Sequence, residues 1–291
     1  MGALLALEPE LAATPGTVSV WCARLDAPHP VYAREEHVRH YAASTMKLAV
    51  LVAAHRAHEA GTLDLDAPVP IGDHFTSAVR DDAGPGTYAL PRAPDDDPDV
   101  WHRLGRTATL RWLVERMIVT SSNLATNAVL EHVGLAAAHG VWELVGARDS
   151  GIGRGIDDAA ARLAGITNEV SAVDLAALLE GIVRETVAGP LACTQMLATL
   201  CATRHRDDLA AGLPAGTRLA HKSGWIIGVR HGAAVIYPPG REPYTLVVCT
   251  STALPDSSAR RLLARIATAS WTDLAEHSRS RHFGGGEHGP T

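Results

Sequence analysis

Lysine is almost missing from this chain. Of its 26 basic residues only two, Lys47 and Lys222, are lysines, and the rest are arginines. Arginine stays protonated in proteins, whereas a lysine can release its proton when it is buried or set near another cation. Two lysines in such a chain mark places where proton chemistry can occur, and both fall in motifs described below. Cysteine is scarce as well: Cys22, Cys193, Cys201 and Cys249, none in a C-x-x-C pair. That pattern argues against a disulfide framework or a zinc site, and the thiols read as free and buried. His55 and His58 lie three apart on a helical pattern with no third ligand in view, so no metal is expected, and no cofactor.

Excess positive charge is lacking too. The formal net charge is −6 and the pI about 6.2, which excludes a broad basic footprint for nucleic acid. No stretch approaches the roughly 20 uncharged apolar residues of a membrane helix. The first residues, MGALLALEPELAATPG, have no basic segment, and their apolar run ends at Glu8, too early for a secretory signal. The expected location is the cytoplasm, or outside the cell if a leader precedes residue 1.

What is present is ordinary globular material: 291 residues, 46% hydrophobic and 20% charged, enough for one large domain or two interleaved ones. Residues 17–24 and 30–34 read as strands joined by a turn. Apolar residues recur at helical spacing from Met46 to Ala57, a helix apolar enough to be buried. Residues 64–104 read as loops with short helices, and their acidic run Asp95, Asp96, Asp97 and Asp99 as a solvated loop. Helices are expected over 107–119, 123–134, 138–146, 171–186 and 188–204, with an irregular glycine-rich stretch at 147–170. Residues 217–227, 229–237 and 244–252 form a β-like meander, and a last helix runs from Ser257 to Ala275.

Strands at both ends and helices between imply an α+β fold: an antiparallel sheet made by the N- and C-terminal strands, with an all-helical insertion. The implied organisation is a short N-terminal extension (1–16), a sheet unit (17–60 with 215–276), a helical unit (61–214) and a disordered tail (277–291). A cleft between the two units is the natural place for a site.

Three motifs carry chemistry. Ser44-Thr45-Met46-Lys47 opens the buried helix, and residues three apart share a helical face, so the Ser44 hydroxyl and the Lys47 amine can be neighbours. A serine needs a nearby base to become a nucleophile, and a desolvated lysine can be one. Alone, the motif is equally an N-cap serine with a first-turn lysine. Ser121-Ser122-Asn123 falls at a break between two helices. Ser121 could relay a proton and Asn123 hold a carbonyl; alone, the segment is a helix cap. Lys222-Ser223-Gly224-Trp225 lies on a predicted strand, where the lysine and serine could bind a carboxylate and the glycine admit a close backbone. The bland alternative is an edge-strand lysine beside a bulge glycine.

The order S-x-x-K, S-x-N, K-S-G, each in its expected context, is similar to the signature of class A β-lactamases and penicillin-binding proteins. The chain resembles that superfamily of serine hydrolases over roughly residues 17–275, including YAASTMKLAVL, MIVTSSNLATNAVLEHVG with Asn127, and HKSGW. The resemblance implies Ser44 as acylated nucleophile, Lys47 as general base, Ser121 as proton relay and Asn123 as anchor for substrate and lysine. Lys222 with Ser223 would clamp a carboxylate, and the N–H groups of Ser44 and Trp225 would form the oxyanion hole. Trp101 would wall the cleft mouth, or else pack the insertion. His221 and His231 are strand residues close to the site in sequence or register.

One departure stands out. Class A enzymes carry a glutamate in the loop before the 171–186 helix, which activates the deacylating water. The matching stretch ARDSGIGRGIDDAAARLAGITNEVS has no such motif. Asp157 or Asp158 could stand in, although an aspartate is one methylene shorter; Glu169 reads as a helix N-terminal charge. The expected substrate is a small molecule with a carboxylate, and the expected state a monomer or weak oligomer. Three readings follow: a β-lactamase-like hydrolase, a cytosolic esterase, amidase or acyl-transfer enzyme, and a peptidase-like or β-lactam-binding protein with slow deacylation.

Overall fold

The computed structural model describes residues 2–280 apart from 26, 28, 82, 83 and 95. The chain starts with a short helix α1 (Glu8–Ala13), then strands β1 (Gly16–Arg24), β2 (Tyr32–Arg34) and β3 (His40–Tyr41). The helix α2 (Lys47–Glu59) follows a single 3-10 turn and is buried from Lys47 to His55. A cross-strand pair ties β4 (Pro68–Pro70) to β7 (Thr107–Thr109), and a hairpin forms from β5 (His74–Asp81) and β6 (Gly84–Ala89). The hairpin departs from the sequence reading of 64–104 as loop: its strands carry Gly84, Pro85 and Gly86, which hide a strand signal.

Around α2 pack α4 (Leu110–Val119), α5 (Asn123–Val133) and α6 (Leu135–Leu144), with the single turn α3 (Pro98–Trp101) ahead of them. The stretch expected to be irregular holds β8 (Gly151–Ile152), α7 (Ala159–Leu163) and β9 (Asn168–Val170); β3, β9 and β8 make a small sheet. Then come α8 (Ala172–Val183), α9 (Pro190–Cys201), the long strands β10 (Arg218–Ile226), β11 (Val229–Tyr237) and β12 (Tyr244–Thr252), and α10 (Asp256–Ser280). Every residue of the tail beyond 280 lies outside the described residues.

The main sheet has the order β10-β11-β12-β1-β2, antiparallel throughout. Both ends of the chain build it, as the alternating strand and helix patterns imply. Two apolar cores flank it. One, centred on α2, lies on the helical side; the other lies under α10 and includes Leu4 and Leu11. The first sixteen residues are therefore no loose extension. Leu4 and Leu11 are buried against the sheet, and Asp273 of α10 accepts the backbone N–H groups of Ala3 and Leu4.

The acidic run is not simply a solvated loop either. Asp95 lies outside the described residues, but Asp97 is buried; it caps α3, takes two bonds from the Arg116 guanidinium (2.5 Å each) and one from the Thr120 hydroxyl (2.6 Å). A desolvated aspartate survives here because a bidentate arginine satisfies it.

Candidate active site

Ser44 sits in the 3-10 turn Ala43–Met46, wedged between β3 and α2. Ala43 has φ of 44°, a left-handed value that an alanine adopts only when its surroundings impose it. The surroundings are identifiable. Gly224 on β10 lies so close that an added Cβ would come within 3.0 Å of the backbone nitrogens of both Ser44 and Thr45. The edge strand and the serine turn thus pack backbone to backbone, and a larger residue than glycine would press the turn aside by a few tenths of an ångström.

Lys47 and Lys222 are both fully buried. Lys47 Nζ donates to Ser121 O (2.6 Å), Asn123 Oδ1 (2.9 Å) and Ser121 Oγ (3.2 Å). Lys222 Nζ donates to Ser121 Oγ (2.9 Å) and Ser223 O (2.7 Å). Two amines therefore meet on one hydroxyl. Burial pulls the Lys222 pKa down to about 7; nearby Asp208 opposes the shift and Arg230 adds to it. Ser121 has φ of 61°, so the residue at the junction is itself held in a strained conformation. The Ser122 side chain caps α5 at Ala125 N–H, filling the middle of the motif with a structural role.

Ser44, Ser121, Asn123, Asp157 and Trp225 line a common cleft of about 720 Å³. Lys47 and Lys222 lie behind Ser121. Ser223 is fully buried and its hydroxyl has no hydrogen-bond partner among the described residues. The Trp225 ring is clasped between the edge of His205 (4.9 Å) and the Arg230 guanidinium (5.1 Å).

Trp101 does not line this cleft. Its indole Nε1–H donates to Asp96 Oδ2 (2.8 Å) and its ring packs on the core. Asp96 takes the place at the wall. Its Oδ1 accepts the Asn123 N–H (2.9 Å), fixing the N-terminus of α5. A local acidic run gave no sign that one carboxylate would turn inward to a helix end more than twenty residues away.

Asp158 is not at the cleft. It caps α7 and accepts from Ser77 Oγ and Ala78 N, so it is structural. Glu169 pairs with Arg39 at 3.8 Å and lies on β9, two residues before the Ser171 cap of α8, so it is not a charge of the helix's first turn. Asp157 reaches the rim, exposed and with φ of 59°. The residue before it is held by Asn127, whose Oδ1 accepts Ile156 N–H (2.8 Å) and whose Nδ2 donates to Ile156 O (2.9 Å). Asn127 Nδ2 also donates to the Tyr88 hydroxyl, against which a Cβ on Gly155 would collide at 2.2 Å. Asn168 pins the same loop from the other side, accepting from Gly153 and Arg154 N–H and contacting Met46 Sδ. The loop is tied on both sides by side-chain amides although its sequence reads as irregular.

His40 and His231 anchor β3 behind the serine turn. Ser19 Oγ donates to Glu35 O, so His40 carries its proton on Nε2 toward Ser19 and accepts from Ser251 at Nδ1. His231 Nδ1 accepts the Thr250 N–H, and its Nε2–H donates to Tyr41 O (2.9 Å). Burial lowers both to about 4, so both are neutral at ordinary pH. His221 Nε2 meets His205 O at 2.7 Å and is likewise buried, a strand residue outside the cleft.

Residues 4–274 match the model of the beta-lactamase enzyme family, so the chain belongs to that family of hydrolases. Solved structures share its fold. PBP-A aligns with a TM-score of 0.79 at 21% identity, covering 94% of this chain and 96% of that one. A beta-lactamase from Sphaerobacter thermophilus DSM 20745 gives 0.78 at 24% identity, covering 94% and 97%. An ancestral class A beta-lactamase gives 0.77 at 21% identity, covering 92% and 98%. No curated protein sequence matches the chain. Among the described residues no helix is long and apolar enough to cross a membrane.

Proposed function

We propose that this protein is a serine hydrolase that cleaves amide or ester bonds, cyclic amides included, through an acyl-enzyme on Ser44. The observation that carries the reading is the meeting of Lys47 Nζ and Lys222 Nζ on Ser121 Oγ beside Ser44 in one cleft. Lys47 as a neutral amine takes the Ser44 proton. The Ser44 oxygen then bonds to the substrate carbonyl carbon, and the N–H groups of Ser44 and Trp225 hold the oxyanion. The proton passes through Ser121 Oγ to the leaving nitrogen or oxygen as its bond to carbon breaks. Asn123 orients Lys47 and a substrate carbonyl. Protonated Lys222 attracts a substrate carboxylate, and the unpartnered Ser223 hydroxyl is a hydrogen bond that such a group would fill.

Deacylation is the slow step with penicillins. The loop clamped by Asn127 brings one carboxylate to the cleft, Asp157, and that carboxylate is exposed to water. This favours a peptidase-like or acyl-transferring role over fast β-lactam destruction. PBP-A is a relative in which such an adduct has been seen: one of its mutants is known as an acyl-enzyme complex with penicillin G.

The test is intact-protein mass spectrometry over time with benzylpenicillin and with an activated ester, beside Ser44→Ala. The expected result is one long-lived penicilloyl adduct, absent from Ser44→Ala and formed at least about a hundredfold more slowly by Lys47→Ala. An adduct on Ser44→Ala protein sinks the assignment of the nucleophile. Rapid turnover with no adduct makes the protein an efficient β-lactamase, with Asp157 or another residue in place of the loop glutamate.

A further inference from the structure

Two adjacent carboxylates grip the chain on either side of the Ser121–Ser122 pair. Asp97 Oδ2 accepts from the hydroxyl of Thr120 (2.6 Å), the residue before the pair. Asp96 Oδ1 accepts the N–H of Asn123 (2.9 Å), the residue after it. Between those points Ser121 keeps its left-handed φ of 61°, a strained value that persists only while both flanks are held.

Asp96 carries more than one bond. Its Oδ1 also accepts the Asp97 N–H (2.7 Å), and its Oδ2 accepts the Trp101 indole N–H (2.8 Å) and, at 3.4 Å, the Leu124 N–H. All four leading N–H groups of α5 are then satisfied. Those of Asn123 and Leu124 go to Asp96, that of Ala125 to Ser122 Oγ (3.2 Å) and that of Thr126 to Ser122 O (3.2 Å). Ser122 serves only half of this helix end; the other half depends on a carboxylate that arrives from 27 residues earlier and suits the positive end of the helix.

Asn123 leads from this helix end into the chemistry. Its Oδ1 accepts from Lys47 Nζ at 2.9 Å, and Asp96 itself stands in the cleft wall with Ser44, Ser121 and Asn123. Trp101 lies off the cleft, packed on the core, with the Arg92 guanidinium 5.9 Å from its ring centre. We propose that Asp96 is a positioning residue for acylation: braced by Trp101, it sets the first turn of α5 and so the place of the Asn123 amide against Lys47. The proposal rests on the acyl-enzyme reading and adds to it a residue that touches no reacting atom. Asparagine is the informative replacement. An amide at 96 keeps one acceptor but turns an NH2 group on the Trp101 N–H or on the Asn123 N–H, donor against donor. Removing the indole N–H removes one of those conflicts.

The experiment measures the pre-covalent constant K and the acylation rate constant k2 separately with benzylpenicillin, on Asp96→Asn, Trp101→Phe and the double variant, beside urea unfolding of each. In the measured step the Ser44 oxygen bonds to the lactam carbonyl carbon, the carbon–nitrogen bond breaks and the nitrogen takes the proton. In Asp96→Asn, k2 falls about tenfold or more while K moves less than about threefold. Trp101→Phe alone slows k2 about twofold to fivefold. The double variant is at least about threefold faster than the product of the two losses, because the donor conflict at the indole is gone. A k2 within about twofold of wild type in Asp96→Asn, whatever the stability, makes Asp96 a helix cap only and overturns the proposal, as do losses that simply multiply. If Asp96→Asn does not fold, Trp101→Phe decides, and an unchanged k2 there overturns it. If the wild type forms no adduct at all, the acyl-enzyme reading fails by itself, and amide hydrogen exchange in Ser44→Ala protein reads the brace. There the Asn123 N–H exchanges about tenfold or more faster once Trp101→Phe is added; unchanged exchange overturns the brace.

Discussion

Lys222 is one of only two lysines, and its surroundings set a pH dependence that arginine would abolish. Its amine is protonated below about 7 and neutral above, because burial disfavours the charge. If the charged form attracts the substrate carboxylate, acylation by benzylpenicillin should weaken about tenfold per pH unit above 7, through K rather than through the maximal rate. Lys222→Arg keeps its charge, so this alkaline limb should vanish, with a lower absolute rate from the bulkier group. A limb that persists in Lys222→Arg belongs to another group. Gly224 makes a second prediction. An alanine there presses on the backbone of Ser44 and Thr45, so Gly224→Ala should slow acylation at least about tenfold while costing less than about 2 kcal/mol in urea unfolding. Loss of the fold itself would place the constraint elsewhere.

At the scale of elements, β3 and its two histidines decide how the serine turn is held. The neutral forms of His40 and His231 are the ones whose hydrogen bonds fit. A proton on His231 Nδ1 would face the Thr250 N–H, donor against donor. Both pKa values are lowered from 6.5 to about 4, so between these pH values the unfolded chain binds protons that the folded chain refuses. Stability should therefore be complete above about pH 6.5 and fall as the pH drops toward 4, by about 2 kcal/mol per histidine at pH 5. Urea unfolding at about pH 7.5 and 5 checks this, and His231→Gln should shrink the difference. Elements such as α2 and the β10–β12 meander were legible because a single face or a full run of apolar residues sets their period. The motif residues around Ser121 were legible because their order along the chain is distinctive. The β5–β6 hairpin was not, since glycines and a proline break its pattern. Nor were the inward turn of Asp96 or the retreat of Trp101 from the cleft. Both depend on which loop atoms meet the N-terminus of α5, and no local spacing encodes that.

For the whole molecule, the decisive arrangement is the sheet order, with β12 lying between β11 and β1. A chain ending at Tyr237 would lack both β12 and α10, leaving β1 with β2 alone and β10 with β11 alone. Such a truncation should show no cooperative unfolding transition, although every motif residue is present; a sharp transition would mean the helical core folds unaided. The same order has a consequence during synthesis. Gly16 pairs with Thr252 and Arg24 with Tyr244, so β1 waits for more than two hundred later residues before it gains that neighbour. The Ser44 turn likewise waits for β10, nearly two hundred residues later in the chain. A ribosome-bound chain thus keeps β1 without that neighbour until its last strand emerges, and its exposed strand edges in that interval make this stage the one at which chaperones and aggregation compete for it.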